Sequence, residues 1–469
     1  MLILNEKQAE LVPILRDAMS LHRAVILYAA CGFGKTVLLT HLIWLSRQKG
    51  KRIIFAVHRK ELIRQTASTF DKFGLSYSYI AAGMPCNSCA HLFIASIPTL
   101  HKRLGKFPAD WLLIDEAHLS MSRTHSATIK HYRDSGAYIL GCSASPIRLD
   151  GKGLRGNFEY LVKGPPPRYL MERGMLAKYR LFVPTQPDVS GLHTLGGDYR
   201  VDEAEELMNK PSITGDCISH WLEHAKGKRT VAYCVSIEHS KAVAAAFRER
   251  GIAALHIDGE TADEIRVGAF KEFADGKIDV ITNVQLLTEG IDISALAGKN
   301  TPIKCVINLR PTQSIALWTQ ICGRAWRRDD EASIILDHAG VSLKLGLPDE
   351  DRDWSLDGEE KGAKKKATSV KVCPKCWAAM RSEARKCPEC DHAFAPKPRE
   401  VEQREGTLKE ITAEEVAARQ ARSRVAYEQS QANTVEALVK IWRLRGMKGN
   451  LEGRAVHVLA ARAAKKKTA

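Results

Sequence analysis

The 469-residue sequence predicts an α/β protein: two tandem parallel-sheet domains, then a small cysteine module and a helical basic tail. Three observations carry this. Short apolar runs alternate with helical patterns over most of the chain, the alternation pauses once, and past residue 345 the apolar runs stop. Strand–helix alternation buries a parallel sheet between helices, so each strand reads as a near-continuous apolar run.

In the first domain, "AVILYAA" (24–30), "RIIFAV" (52–57), "LFIAS" (92–96), "WLLID" (111–115) and "YILGCSA" (138–144) read as buried strands. "KTVLLTHLIWLSRQKG" and "RKELIRQTASTFDKFG" read as helices that end near a glycine. The pattern pauses at "KGPPPRYLMERGML" and an irregular stretch to about 212. It restarts with "RTVAYCV" (229–235), "AALHID" (253–258), "IDVITNV" (278–284), "KCVINL" (304–309) and "ASIILD" (332–337). The expected organisation is a first domain at 1–165, a linker at 166–212 and a second domain at 213–345. A flexible linker at 346–370, a cysteine module at 371–396 and a basic tail at 397–469, helical from 408, complete it.

Hydrophobic content of 45% with 26% charged residues describes a soluble globular chain, too long for one core. No run of about 18 apolar residues exists and no basic leader precedes an apolar stretch, so membrane spanning and export are not expected. Twelve cysteines, scattered apart from the CxxC pairs, suit a reducing cytoplasm. The net charge of +16 is concentrated in the last quarter of the chain. A basic tail on a near-neutral body suggests a polyanion partner, of which nucleic acid is the commonest.

The stretch "AACGFGKT" (29–36) follows a strand and opens a helix, the setting that a phosphate-binding loop requires. Gly32 and Gly34 let backbone N–H groups approach phosphates, Lys35 can reach the β- and γ-phosphates, and the Thr36 hydroxyl can hold Mg²⁺. "LLIDEAH" (112–118) supplies the acidic half of such a site: Asp115 for Mg²⁺ through water, Glu116 to polarise the attacking water.

"AACGFGKT", "DEAH" and "SASP" (143–146), in this order, resemble motifs I, II and III of the superfamily 2 DEAH-box helicases and translocases. "AVHRKELIRQ" (56–65) and "IASIPTL" (94–100) match motifs Ia and Ib, "NVQLLTEGIDI" (283–293) looks like motif V, and "QICGRAWRR" (320–328) looks like motif VI. The resemblance covers residues 1 to about 345 and implies two RecA-like domains with ATP between them. It further implies that Arg324 and Arg327 reach across to the γ-phosphate, and that Gly290 and Asp292 lie near the ribose and the domain seam. Gln320 would contact the γ-phosphate or its water, and Gln8 in "LNEKQAEL" would read the adenine edge. Cys31 and Ser145 depart from the family's usual threonines. Motifs Ia, Ib and V imply a nucleic-acid track at Arg59, Lys60, Ser96, Thr99, Thr282 and Asn283, residue types that contact phosphate without reading bases.

"CPKC" and "CPEC" give C-x₂-C-x₁₀-C-x₂-C, so Cys373, Cys376, Cys387 and Cys390 are expected to hold a structural, tetrahedral Zn²⁺ with no open position. Trp377 and Phe394 could stack on bases or fill a small core. Cys86 and Cys89 in "MPCNSCAH" have only His91 nearby and are read as incidental. A superfamily 2 core followed by a basic linker and a four-cysteine zinc ribbon is similar to the bacterial RadD-type DNA repair helicases, which implies single-stranded or branched DNA as partner. Two other readings stay open. An RNA helicase would differ by a 2′-OH contact invisible in sequence. A restriction-system motor subunit would need its nuclease on another chain, since no PD-(D/E)xK-like signal stands out. A zinc-ribbon binder with a dead ATPase is disfavoured because Lys35, Asp115, Glu116 and Arg327 are all present.

Overall fold

The computed structural model describes residues 4–184, 186–288, 290–358, 370–394, 429 and 432–467. The chain divides into two compact units, 1–396 and 397–469. In the larger unit, the first lobe begins with α1 (Glu6–Leu21) and β1 (Ala24–Tyr28), then α2 (Lys35–Arg47), β2 (Ile53–Val57) and α3 (Lys60–Lys72). β3 (Ser78–Ile80), β4 (Leu92–Ser96), α4 (Ile97–Lys102), β5 (Trp111–Asp115), α5 (Arg123–Asp134), β6 (Tyr138–Ser143) and β7 (Tyr160–Lys163) complete it. Its seven strands are parallel, in the order β3-β4-β2-β5-β6-β1-β7. β1 and β2 are buried along their whole length, as expected for strands covered on both faces. The register sets Tyr28 opposite Ser143 and Asp115 opposite Cys142, so the loop after β1 and the acids at the end of β5 emerge together at the carboxyl ends of the strands. That is where open α/β sheets bind ligands.

α6 (Pro167–Glu172) leads to the second lobe: β8 (Tyr179–Phe182), a small hairpin of β9 (Thr194–Leu195) and β10 (Asp198–Tyr199), then α7 (Val201–Met208) and α8 (Pro211–His224). β11 (Thr230–Tyr233), α9 (Ile237–Glu249), β12 (Ala254–His256), α10 (Asp263–Ala274), β13 (Val280–Asn283) and α11 (Ile293–Ala297) follow. β14 (Cys305–Asn308), α12 (Ile315–Gly323), β15 (Ser333–Asp337) and α13 (Val341–Leu345) close the lobe. The six strands are again parallel, ordered β12-β13-β11-β14-β15-β8. The stretch expected as a linker, 166–212, therefore supplies β8, an edge strand of the second sheet.

Residues 346–358, expected as part of a flexible linker, instead form a strap that returns to the first lobe. Trp354 is buried against Tyr28, ring centroids 5.7 Å apart, and Leu356 is buried in the first lobe's core with Phe158 and Leu154. The Leu356 carbonyl accepts from the Leu154 and Arg155 amides at 2.8 and 3.1 Å. A Cβ on Gly153 would lie 2.0 Å from that oxygen, so only glycine fits there.

The cysteine module is a short hairpin of β16 (Val370–Val372) and β17 (Ala379–Arg381) that docks on the free edge of β8. The Val183 amide donates to the Trp377 carbonyl at 2.9 Å, and Arg180 pairs with Glu389. Trp377 is 42% exposed, so it does not form the module's core; Ala378 and Met380 are buried there instead.

In the smaller unit, helices Val435–Leu444 and Leu451–Lys467 pack through Leu438, Val439, Trp442, Leu451 and Ala455. Residues 408–428, 430 and 431 of the helical stretch expected from 408 lie outside the described residues. Among the described residues no helix is long and apolar enough to cross a membrane.

Candidate functional site

The loop between β1 and α2 turns on Gly32 (φ +79°) and Gly34 (φ +87°), left-handed conformations open to glycine. Both glycines are also crowded. A Cβ on Gly32 would meet the Leu176 side chain at 2.8 Å, and one on Gly34 would meet Gln8 Nε2 at 2.5 Å. Gln8 is buried, and its Nε2 donates to the Phe33 and Gly34 carbonyls at 3.0 and 3.2 Å. Asn5 and Gln8 form a capping box at the start of α1, which fixes the Gln8 side chain for this contact. The structure thus commits the Gln8 amide to bracing the loop rather than leaving it free to read an adenine edge.

Lys35 opens α2, and its Nζ lies 3.3 Å from the Ala29 carbonyl. Burial alone would lower its pKa, but Cys31, Glu116, Cys142 and Asp115 around it hold it above the usual lysine value. Asp115 ends β5, and burial first, then the neighbouring Glu116, pushes its carboxyl up to about 6. Glu116 follows with φ +50°, a strained conformation for a side-chain-bearing residue. Its amide donates to Asp115 Oδ1 at 2.9 Å. Buried Glu116 Oε2 accepts no hydrogen bond among the described residues and lies 3.4 Å from His118 Nδ1.

The second lobe supplies the other wall. Cys31, Gly32, Gly34, Lys35, Thr36, Asp115 and Glu116 face Gly290, Asp292, Arg324 and Arg327 around one cleft of about 220 Å³. Arg324 donates to the Ile291 and Thr288 carbonyls at 3.0 and 2.6 Å, while its buried Nε has no hydrogen-bond partner among the described residues. Arg327 pairs with Asp292 and Ser294. Gly290 (φ +74°) sits so close to the first lobe that a Cβ there would be 3.1 Å from Glu116 Oε1. The Thr36 hydroxyl, the Asp115 and Glu116 carboxylates, the Lys35 ammonium and the Arg324 and Arg327 guanidinium groups, with Glu116 Oε2 and Arg324 Nε lacking hydrogen-bond partners among the described residues, form a donor set that fits a magnesium-bound triphosphate.

Gln320 is not on the wall of this cleft. It is buried, and its Nε2 donates to Ser145 Oγ at 2.9 Å and lies 3.5 Å from His118 Nε2. His118 Nδ1 in turn is 3.1 Å from Ser143 Oγ. Gln320 thus ties the second lobe to the "DEAH" and "SASP" segments.

The expected nucleic-acid residues divide. Arg59 and Lys60 stand at the start of α3, with Lys60 exposed. Ser96 caps α4, and its hydroxyl donates to Thr99 Oγ1 at 2.8 Å, both residues half-buried. Thr282 and Asn283 are fully buried: Thr282 Oγ1 donates to the Ser240 carbonyl at 2.9 Å and Asn283 Nδ2 to the Ala232 carbonyl at 3.0 Å. Thr282 ties β13 to α9 and Asn283 ties it to β11, and both side chains are shut away from solvent. Gln65 and Gly323, which line or abut the cleft, were not singled out from sequence, although Gln65 closes the motif Ia match.

The four cysteine sulfurs lie within 4.8 Å of one another, with Cys373–Cys390 and Cys376–Cys387 at 3.6 and 3.5 Å. Tetrahedral Zn²⁺ with Zn–S of about 2.3 Å places its sulfurs about 3.8 Å apart. Trp377 and Asp391, each directly after the second cysteine of a pair, both have positive φ, so the two turns repeat one geometry. The residues present fit a zinc ion.

Two parallel-sheet RecA-like lobes closing on one phosphate loop define a motor-type ATPase. Residues 1–148 match the family "Type III restriction enzyme, res subunit" and residues 210–329 match "Helicase conserved C-terminal domain". A 51.5 kDa protein of a Lactococcus phage is 30% identical over 370 residues, covering 78% of this chain and 77% of that one. A candidate ATP-dependent helicase of Saccharomyces cerevisiae, IRC3, is 25% identical over 336 residues, 67% of this chain but 48% of its own length. In fold, the chain resembles a fragment of a candidate HsdR subunit of a type I restriction enzyme from Vibrio vulnificus (TM-score 0.55, 20% identity, 74% of this chain, 65% of that one). It also resembles the Type ISP restriction-modification enzyme LlaBIII, solved bound to DNA (TM-score 0.52, 15% identity, 71% of this chain, 27% of that one). The chain belongs to the superfamily 2 helicases and is an ATP-hydrolysing enzyme of the helicase and translocase type.

Proposed function

We propose that this chain is an ATP-driven DNA translocase or helicase of the RadD type, acting in repair or recombination in the cytoplasm. The observation that carries the reading is the single cleft on which Lys35, Thr36, Asp115 and Glu116 of one lobe face Gly290, Asp292, Arg324 and Arg327 of the other. Lys35 neutralises the β- and γ-phosphates, and Thr36 and Asp115 would hold Mg²⁺, which would supply further charge neutralisation when bound. Glu116 orients the attacking water with its orphaned oxygen, and Arg324 and Arg327 take up charge developing on the γ-phosphate. The triphosphate thereby attracts the arginine-bearing lobe; hydrolysis removes the attraction and lets the lobes part. Arg59, Lys60, Ser96 and Thr99 hold the polynucleotide backbone on the first lobe, independent of sequence. The four-cysteine ribbon takes a structural Zn²⁺. We place the first lobe at 1–165 and extend the second beyond 213–345 to include β8.

ATP turnover measured with single-stranded, duplex and forked DNA and with RNA tests this. DNA is expected to stimulate turnover and Lys35→Ala to abolish it. Near wild-type turnover in Lys35→Ala would overturn the site, and indifference to every polynucleotide would overturn the motor. Stimulation by RNA alone would make it an RNA helicase. A second reading, the motor subunit of a restriction system, is favoured by the match of 1–148 to a restriction subunit family. It predicts a stably co-purifying nuclease chain and ATP-dependent cleavage of plasmid by that complex.

A further inference from the structure

α3 does more than start the proposed nucleic-acid track. Its residues 61 and 65, one turn apart, share the face that meets the second lobe. Glu61 pairs with Arg266 of α10, whose side chain is only 6% exposed and which also pairs with Asp263. Arg64 adds a weaker contact to Asp263 at 3.6 Å. Leu62, between them, lies 3.2 Å from where a Cβ on Gly290 would stand. One turn further, Gln65 Oε1 accepts the Asp292 backbone N–H at 3.0 Å, a direct hydrogen bond between lobes at the cleft wall.

Asp292 is the hub of that wall. Its carboxylate caps α11 through the Ser294 and Ala295 amides, at 2.8 and 3.3 Å, and pairs with Arg327, which also reaches Ser294. A first-lobe side chain that fixes the Asp292 backbone therefore fixes the anchor of Arg327. We propose that Gln65 is a positioning residue for ATP hydrolysis: its hydrogen bond to Asp292 docks the second lobe so that Arg327 stands opposite Lys35. The Glu61–Arg266 pair holds α3 in the orientation that this bond requires. Gln65 touches no reacting atom in this role; it acts through Asp292 and Arg327. Because the contact exists only while the lobes are together, it stabilises the closed, reacting state and not the first encounter with nucleotide.

This rests on the assignment of Arg327 under the proposed function, and the experiment separates the two. Steady-state ATPase of the full chain, with saturating polynucleotide, is measured for Gln65→Ala, Gln65→Met, Arg327→Ala and the Gln65→Ala/Arg327→Ala pair. Gln65→Met keeps the side chain's length and removes the acceptor. Both Gln65 variants are expected to lose about five- to tenfold in kcat, the scale of one hydrogen bond, with KM within about twofold of wild type. The paired variant is expected to be no slower than Arg327→Ala alone. Gln65 variants turning over within twofold of wild type, a change confined to KM, or losses that multiply in the paired variant would each overturn the proposal. An Arg327→Ala enzyme with undiminished turnover would instead overturn the arginine assignment beneath it.

Discussion

Replacing Gly290 by alanine probes the fit between the lobes at the reacting end of the cleft. The new methyl group would stand 3.1 Å from Glu116 Oε1, 3.2 Å from Leu62 Cδ2 and 3.4 Å from Glu116 Cγ. None of these can retreat easily: Leu62 is in the first lobe's core, and Glu116 is buried on a strained backbone. Two costs follow, and they read out differently. The φ of +74° strains any residue with a Cβ by about 1–2 kcal/mol whether or not the lobes touch, so that part lowers thermal stability. The contacts with Glu116 and Leu62 exist only in the closed arrangement, and overpacking of this kind costs about 1–3 kcal/mol. Turnover should therefore fall by roughly 5- to 150-fold. Steady-state ATPase at saturating nucleotide, beside a melting curve, measures both. A Gly290→Ala enzyme that keeps wild-type kcat would refute the view that closure brings Gly290 onto Glu116.

Three further perturbations have defined outcomes. Leu356→Ala removes a buried side chain from the first lobe's core, and should cost about 2–5 kcal/mol, lowering that lobe's melting temperature by several degrees in calorimetry. An unchanged melt would return 346–358 to linker status. Cys387→Ser should abolish stoichiometric zinc by elemental analysis and release the hairpin from β8, seen as new proteolysis near 370–394 with the helicase lobes intact. Arg59→Ala with Lys60→Ala should weaken polynucleotide binding evenly across sequences and lower the slope of log K against log salt by about 2; an unaltered slope would remove α3 from the track.

Much of this fold was legible because its strands are covered on both faces. "LFIAS" and "WLLID" coincide with β4 and β5 to the residue, since a short wholly apolar run has few other places to go. β7 and β8 escaped because edge strands carry exposed polar positions, as in "YLVK" and "YRLF", and dilute the apolar signal. The strap escaped because Trp354 and Leu356 are two anchors in an otherwise acidic string with no period to reveal them. In the site, motif order located Lys35, Asp115, Glu116, Arg324 and Arg327 on one cleft. Linear order carries no depth, however. It could not show that Thr282, Asn283 and Gln320 are buried, or that Gln8 is spent on the loop it braces.

The strap at 346–358 changes how such a cleft can open. The polypeptide passes between lobes once before β8 and again after α13, and the second passage is pinned by Trp354 and Leu356. A door hung on two pins swings but does not lift away. Relative motion of the lobes is therefore expected to be a rocking about the line joining the passages, carrying with it the ribbon that is hydrogen-bonded at the end of β8.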